Sequence, residues 1–297
     1  MTRFQANLVL LLAGAMWGMG FVAQSTAMQH VGPLLFIGLR FMTATLATLP
    51  FALRESRRAD RPLADRNWRA FLIIGGLLFA GMTAQQFGLL TTSVTNSGFL
   101  TGLYVVMVPL FGVMLFREWP HPVVWPCAVA AFVGIWLLSG GTVSQLTVGD
   151  WLTILCAAIW ALQLIMIGRH AAHTGRPIAL AVTQFAVCAI GGLVLGFTFE
   201  PFDTAAIAAA LPEILYSGIF SGGIAFTLQA VGQRHTTAAQ AAIFLSSEAV
   251  FAGLLGAIFL GERLPAIGLV GCGLIFAAIV AVETLPAIFA RKAPATP

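Results

Sequence analysis

Charged residues are scarce in this 297-residue chain: 9% of its residues are charged and 59% are hydrophobic. A soluble globular domain carries about 25% charged residues, so most of the surface of this protein is not expected to face water. The formal net charge of +4 is also small, which gives nucleic-acid binding little support. The composition therefore favours an integral membrane protein.

The groups that hold metals, cofactors and nucleotides are also missing. The four cysteines lie singly inside long apolar runs and form no CxxC or Cys/His cluster, so neither a disulfide nor a zinc site is expected. The five histidines are scattered, and we predict no metal and no cofactor. No Gly-Lys-Ser/Thr phosphate-binding motif occurs, so ATP is not expected to act as a direct energy source.

Long apolar segments are abundant. A transmembrane helix needs about 20 mostly apolar residues, and the chain holds ten such segments. The sequence thus predicts an all-α membrane protein of ten transmembrane helices, called spans 1 to 10 below. They are expected at 6–28, 33–53, 69–90, 95–116, 120–139, 150–170, 177–198, 212–233, 237–260 and 264–284. We interpret the first as a retained span rather than a removed signal peptide, and place the short segment 200–211 at the membrane interface.

The distribution of Lys and Arg predicts the orientation. If the N-terminus lies inside, thirteen of the fifteen basic residues fall in inside segments, one (Arg263) falls outside and one (Arg40) falls within a span. An even number of spans places both termini in the cytoplasm. We therefore predict a multi-pass protein of a bacterial inner membrane, with residues 285–297 as a cytoplasmic tail.

The two halves of the chain repeat each other. Trp17 matches Trp160 at an offset of 143, and later pairs match at an offset of 144. Those pairs are Pro33 and Pro177, Phe41 and Phe185, Gln85 and Gln229, Gly88 and Gly232, Thr92 and Thr236, Gly112 and Gly256, and Glu118 and Glu262. Because each half has five spans, the second repeat (150–284) is expected to be inverted relative to the first (6–139). Secondary transporters commonly share this plan.

Four segments resemble the drug/metabolite transporter superfamily and its ten-span EamA family. They are 14–18 (GAMWG), 39–41 (LRF), 109–118 (PLFGVMLFRE) and 247–262 (SEAVFAGLLGAIFLGE). The resemblance covers about 6–284 and implies a two-repeat bundle that exports metabolites or amino acids, with the aromatic-amino-acid exporters as the most similar subgroup. Ala249 departs from the proline common in the family, which predicts a straighter ninth span.

Only two charged residues lie deep inside spans: Arg40 and Glu248. Charges in a bilayer are energetically unfavourable and mark functional sites by default. One interpretation is a structural or coupling charge pair that joins spans 2 and 9. The other assigns Glu248 as a proton carrier or as the partner of a substrate amine.

Polar and aromatic side chains at central depths are the candidate lining of a substrate site. Trp17 and Trp160 lie about ten residues into their spans, too deep for an interfacial belt. Hydrogen bonding between helices is the alternative role for the polar members. The predicted substrate-binding residues are Trp17, Gln24, Gln85, Asn96, Tyr104, Trp160, Gln163, Gln229, Phe244, Ser247 and Glu248.

These features predict a secondary transporter that exports neutral or aromatic amino acids and related metabolites by alternating access. Efflux of cationic hydrophobic drugs by proton antiport is the alternative within transport. An intramembrane enzyme or a passive scaffold has less support, because two deep charged residues do not make a catalytic set. Ten spans can enclose a cavity alone, so we expect a monomer in the lipid bilayer.

Overall fold

The computed structural model describes residues 1–59, 61–92, 94–138, 146–259 and 266–292, with the side chains at 94–96 and 287–292 left undescribed. Within these ranges the protein is all-helical. Spans 1 to 5 are Arg3–Ala27, Pro33–Arg57, Asp65–Gly88, the pair Val94–Thr101 and Tyr104–Phe116, and Val124–Leu138. Spans 6 to 10 are Val148–Thr174, Pro177–Phe199, the series Leu211–Tyr216, Ser217–Ile224 and Ala225–Gln233, the pair Ala238–Leu245 and Ser247–Phe259, and Ala266–Lys292.

Nine helices in the described part of the chain are long and apolar enough to cross a membrane. Span 5 is a shorter apolar helix, and its predicted end at residue 139 lies outside the described residues. Span 10 differs from the prediction because it continues to Lys292, so the predicted tail begins as helix. A short helix, Thr204–Ala209, occupies the segment predicted to lie at the interface. The chain is thus a multi-pass membrane protein.

Local sequence signals explain where several helices begin and end. Pro33 and Pro177 are the first residues of spans 2 and 7, where a missing N–H leaves no helical hydrogen bond unmade. Thr147 and Asp150 cap span 6 reciprocally, each side chain accepting a hydrogen bond from the backbone N–H of the other. Span 6 ends at Gly175, whose φ of 65° suits a residue without Cβ.

Spans 2 and 7 cap each other through two carboxylates. Glu200, at the end of span 7, accepts two hydrogen bonds of 2.8 Å from backbone amides in the first turn of span 2. Glu55, near the end of span 2, accepts bonds of 3.1 and 2.9 Å from the first turn of span 7. The four amides belong to Leu34, Leu35, Ile178 and Ala179. A carboxylate complements the positive end of a helix, and these contacts show that the two spans run antiparallel.

Spans 2 and 7 also touch through their backbones. A Cβ atom added at Gly192 would lie 2.4 Å from the backbone nitrogen of Gly38 and 2.6 Å from its Cα. Membrane helices approach this closely only where small residues face each other, since dispersion contacts must replace the hydrophobic effect. Spans 2 and 7 therefore pack tightly against each other, in addition to capping each other's first turns.

We predict that Gly192→Ala lowers the melting temperature in detergent by an amount equivalent to about 1–3 kcal/mol, because the new methyl group forces two backbones apart. Gly76→Ala is the matched control: it is also a helical glycine, but a Cβ there meets nothing within 4 Å. That control should be neutral or stabilising, since alanine is the better helix former. Equal melting temperatures for the two variants would contradict the close contact.

Candidate functional site

A small cavity lies where spans 1, 2, 3, 6, 8 and 9 meet. It leaves about 10 Å³ for the centre of a water molecule, which is room for about one water. The cavity is lined by Trp17, Phe21, Gln24, Arg40, Met82, Gln85, Trp160, Ser221, Phe226 and Glu248.

Six of the twelve predicted site residues line this cavity: Trp17, Gln24, Arg40, Gln85, Trp160 and Glu248. Five others are buried outside the lining: Tyr104, Gln163, Gln229, Phe244 and Ser247. Asn96 lies in the helix Val94–Thr101, but its side chain is outside the described ones. Among the described residues, no three His, Cys, Asp or Glu side chains are grouped as metal ligands.

Arg40 is 1% exposed and has only neutral hydrogen-bond partners. Its Nη1 donates to Gln24 Oε1 at 2.9 Å and its Nη2 donates weakly to Ser221 Oγ at 3.4 Å, while Nε has no partner in the described structure. The guanidinium carbon lies 5.0 Å from the ring centroid of Phe41. Phenyl faces and amides stabilise a cation without neutralising it. Arg40 is thus a buried charge whose counterion is not supplied by these neighbours.

Glu248 faces the same cavity but does not pair with Arg40. The ion pairs of the described residues join other side chains at the ends of the spans. The predicted Arg40–Glu248 pair is therefore not formed in this structure, because Gln24 and Ser221 hold the guanidinium. The Glu248 carboxyl lies beside Tyr104 and keeps one oxygen, Oε1, without a hydrogen bond.

The two central tryptophans occupy equivalent positions but have different partners. Trp17 Nε1 donates a 2.9 Å hydrogen bond to the backbone carbonyl of Ser221, and its ring centroid lies 4.6 Å from that of Phe226. Trp160 Nε1 has no partner in the described structure, and it lies 2.3 Å from where a Cβ of Gly81 would be. A larger residue at 81 would displace the indole, so this glycine makes the room for Trp160.

Span 8 contains a π-helix, Ser217–Ile224, at the level of the cavity. The equivalent segment of span 3, residues 73–80, is ordinary α-helix. π-Turns redirect carbonyls and side chains and are frequent at functional sites. Here the π-helix positions Ser221 so that its carbonyl accepts from Trp17 while its hydroxyl contacts Arg40.

Spans 4 and 9 are interrupted at equivalent positions. The first break falls at Gly102 and Leu103, just before Tyr104, and the second falls at Ser246, just before Ser247 and Glu248. The break in span 9 falls three residues before Ala249. The straighter course predicted from residue 249 stays a prediction. Interrupted helices expose unpaired backbone groups, and transporters use them at midplane binding sites.

The comparisons with known proteins agree with this architecture. The sequence profile of the EamA-like transporter family matches residues 5–140 and again residues 147–284. The chain belongs to the EamA-like transporter family. It is accordingly a membrane transporter of the drug/metabolite superfamily, built from two EamA repeats, that binds small-molecule substrates within the bilayer.

Similar proteins fit this assignment. An "Uncharacterized transporter" of Archaeoglobus fulgidus is 31% identical over 95% of this chain and 86% of its own length. "Uncharacterized transporter YwfM" of Bacillus subtilis is 26% identical over 94% of each chain. "Glucose uptake protein GlcU" of Bacillus subtilis is 32% identical over 40% of this chain and 44% of its own. A solved structure with 20% identity superposes with a TM-score of 0.79 over 96% of this chain and 98% of that one, which supports the fold alone.

Two residues around the site of this transporter, Gln184 and Ser221, were not predicted from the sequence. Gln184 is fully buried and accepts a 2.8 Å hydrogen bond from Gln163, while its own Nε2 stays unpartnered. It is the repeat equivalent of Arg40, and the offset that pairs Phe41 with Phe185 could have found it. Ser221 carried no such signal, because only the π-helix brings it to the cavity.

We predict that Trp17→Phe destabilises the transporter more than Trp160→Phe does. Both variants lose similar ring area, but only the first leaves the Ser221 carbonyl without its donor, at a cost of about 1–3 kcal/mol. Thermal unfolding of both variants in the same detergent measures the difference. Equal decreases in melting temperature for the two variants would show that the Trp17–Ser221 hydrogen bond contributes nothing to stability.

Proposed function

We propose that the two EamA repeats are inverted, with boundaries at 6–139 and 150–284, and with both termini in the cytoplasm of a bacterial inner membrane. The antiparallel packing of the equivalent spans 2 and 7 supports the inversion. So does the contact between the equivalent Phe41 and Phe185, whose ring centroids are 5.9 Å apart, as expected for residues near a two-fold axis. The basic segment 54–69 supports the orientation.

Amino acids with neutral or aromatic side chains are the proposed substrates of this transporter. The observation that carries the proposal is that Arg40 and Glu248 line one cavity without pairing. An amino-acid zwitterion presents one carboxylate and one ammonium group, which match these two side chains. Trp17, Trp160 and Phe226 add aromatic faces for an apolar side chain.

Alternating access is the proposed mechanism, with export as its direction. The closed cavity is too small for an amino acid, so the central spans must separate for binding. Three interruptions of regular α-helix surround the cavity: the breaks at 102–103 and 246, and the π-helix Ser217–Ile224. Helices bend where the i→i−4 hydrogen bonds are interrupted, so these are the proposed bending points. A monomer encloses the whole site.

Other substrates match the cavity less well. A lipophilic cation would suit Glu248 and the aromatic rings, but Arg40 would repel it. A neutral sugar, which the name of the GlcU relative suggests for that protein, needs neither buried charge. A scaffold would leave the cavity and its two opposite charges without a use, and Arg40 with Glu248 alone does not make a catalytic set.

Counterflow in liposomes tests the substrate class. The transporter is expected to exchange labelled phenylalanine, and to exchange phenethylamine poorly because that amine lacks the carboxylate for Arg40. Arg40→Gln, which copies the equivalent Gln184, should raise the half-saturating phenylalanine concentration at least about 30-fold, since losing one partner of a buried charge pair costs about 2 kcal/mol or more.

Arg169→Gln is the matched control for that experiment. It removes the same charge from a half-exposed arginine at a span end, which pairs with Glu118 and lies over the ring of Phe116, so exchange should remain near that of the native protein. Exchange of tetraphenylphosphonium without phenylalanine would favour the drug-efflux alternative. Exchange of glucose, without exchange of phenylalanine or tetraphenylphosphonium, would favour a sugar as the substrate.

Proton exchange at Glu248 is tested by a pH gradient. If the glutamate alternates between a proton and the substrate amine, a gradient should drive net phenylalanine movement in the native transporter. Glu248→Gln should abolish the gradient-driven movement, with Glu118→Gln as a surface control. Native transport that ignores the gradient would leave the substrate gradient as the driving force and remove the glutamate from coupling.

A further inference from the structure

A second and much larger cavity opens at the ends of spans 2, 3, 6 and 7. Its volume is about 920 Å³, within the range of small-molecule sites. It shares no lining residue with the central cavity. We call it the basic cavity, and it is lined by Glu55, Arg58, Ala59, Arg61, Pro62, Leu63, Asn67, His173, Thr174, Gly175 and Arg176.

Positive charge dominates the described lining. Arg58, Arg61 and Arg176 contribute three guanidinium groups, and Glu55 contributes the one carboxylate. That carboxylate is already engaged: it caps the first turn of span 7, and Arg176 Nε lies 3.5 Å from its Oε2. Arg58 and Arg61 have no ion pair within the described structure, so the described part of the lining keeps excess positive charge.

The other end of the molecule provides an internal comparison. Glu200 caps span 2 as Glu55 caps span 7, but the residue equivalent to Arg176 is Gly32, so the outer cap needs no arginine. Arg176 is 7% exposed, and its Nε has no hydrogen-bond partner in the described part of the chain. The Arg176 guanidinium is therefore an addition at this end that the capping does not require, and it lines the basic cavity beside its ion pair with Glu55.

We propose that the basic cavity binds a phosphate-bearing anion. Guanidinium groups bind phosphate oxygens through paired hydrogen bonds, and the three arginines surround one space. With the orientation proposed above, the cavity lies at the cytoplasmic headgroup level, where basic pockets between helices accept acidic phospholipid headgroups. A soluble phosphate compound has the same chemistry. The site is independent of the transported substrate.

The test uses the full-length transporter in neutral detergent. Native mass spectrometry measures binding of dioleoyl-phosphatidylglycerol against dioleoyl-phosphatidylcholine, and thermal unfolding is followed with each lipid and with inorganic phosphate. The double variant Arg58→Gln with Arg61→Gln should weaken binding of the acidic lipid about tenfold or more. A phosphate-dependent rise in melting temperature that this variant loses, without lipid binding, would identify the soluble source.

The matched control is Arg66→Gln with Arg69→Gln, which removes equal charge from the same segment but outside the lining. It should retain binding within about twofold of the native protein, since general attraction to acidic lipid is the only effect removed. Equal weakening by both double variants would overturn the proposal in favour of general charge attraction. The proposal would also be overturned if neither double variant changed the binding of acidic lipid or of phosphate.

Discussion

Hydrocarbon offers no hydrogen bonds, and this constraint organises the whole structure. Every backbone polar group within the bilayer must find a partner inside the protein, so the chain is helical wherever it crosses. The first turn of a helix is where such partners are missing. In spans 2 and 7 the missing partners are the carboxylates of Glu200 and Glu55. Each helix thereby completes the other, and the antiparallel pair holds the central spans in place.

The same constraint makes the unpaired charge of Arg40 important for the central cavity. A guanidinium in hydrocarbon is costly unless it is paired, yet Arg40 is held by Gln24 and Ser221, which are neutral. Pairing with Glu248 would satisfy both charges and would leave nothing for a substrate. Keeping the two apart leaves the cavity with an unbalanced cation. A ligand carrying a carboxylate would relieve that imbalance, and this couples binding to stability.

The sequence predicted what depends on pattern and missed what depends on local backbone geometry. Apolar length located the spans, and the internal repeat indicated that Trp17 and Trp160 line one cavity, because a repeat places equivalent residues at equivalent depths. The break at Ser246 and the π-helix Ser217–Ile224 have no such signal. Ser221 could therefore be identified as a residue of the site only from the structure.

The repeats share a backbone plan but differ where chemistry is needed. Arg40 stands where the second repeat has Gln184, and Arg176 stands where the first has Gly32. Two equal and inverted halves, as proposed above, would close equally well towards either side, so the proposed symmetry would supply the two states of a transporter without selecting a ligand. Selection requires the halves to differ. In this chain the differences coincide with the two cavities, which is why both are interpreted as binding sites and the shared elements as frame.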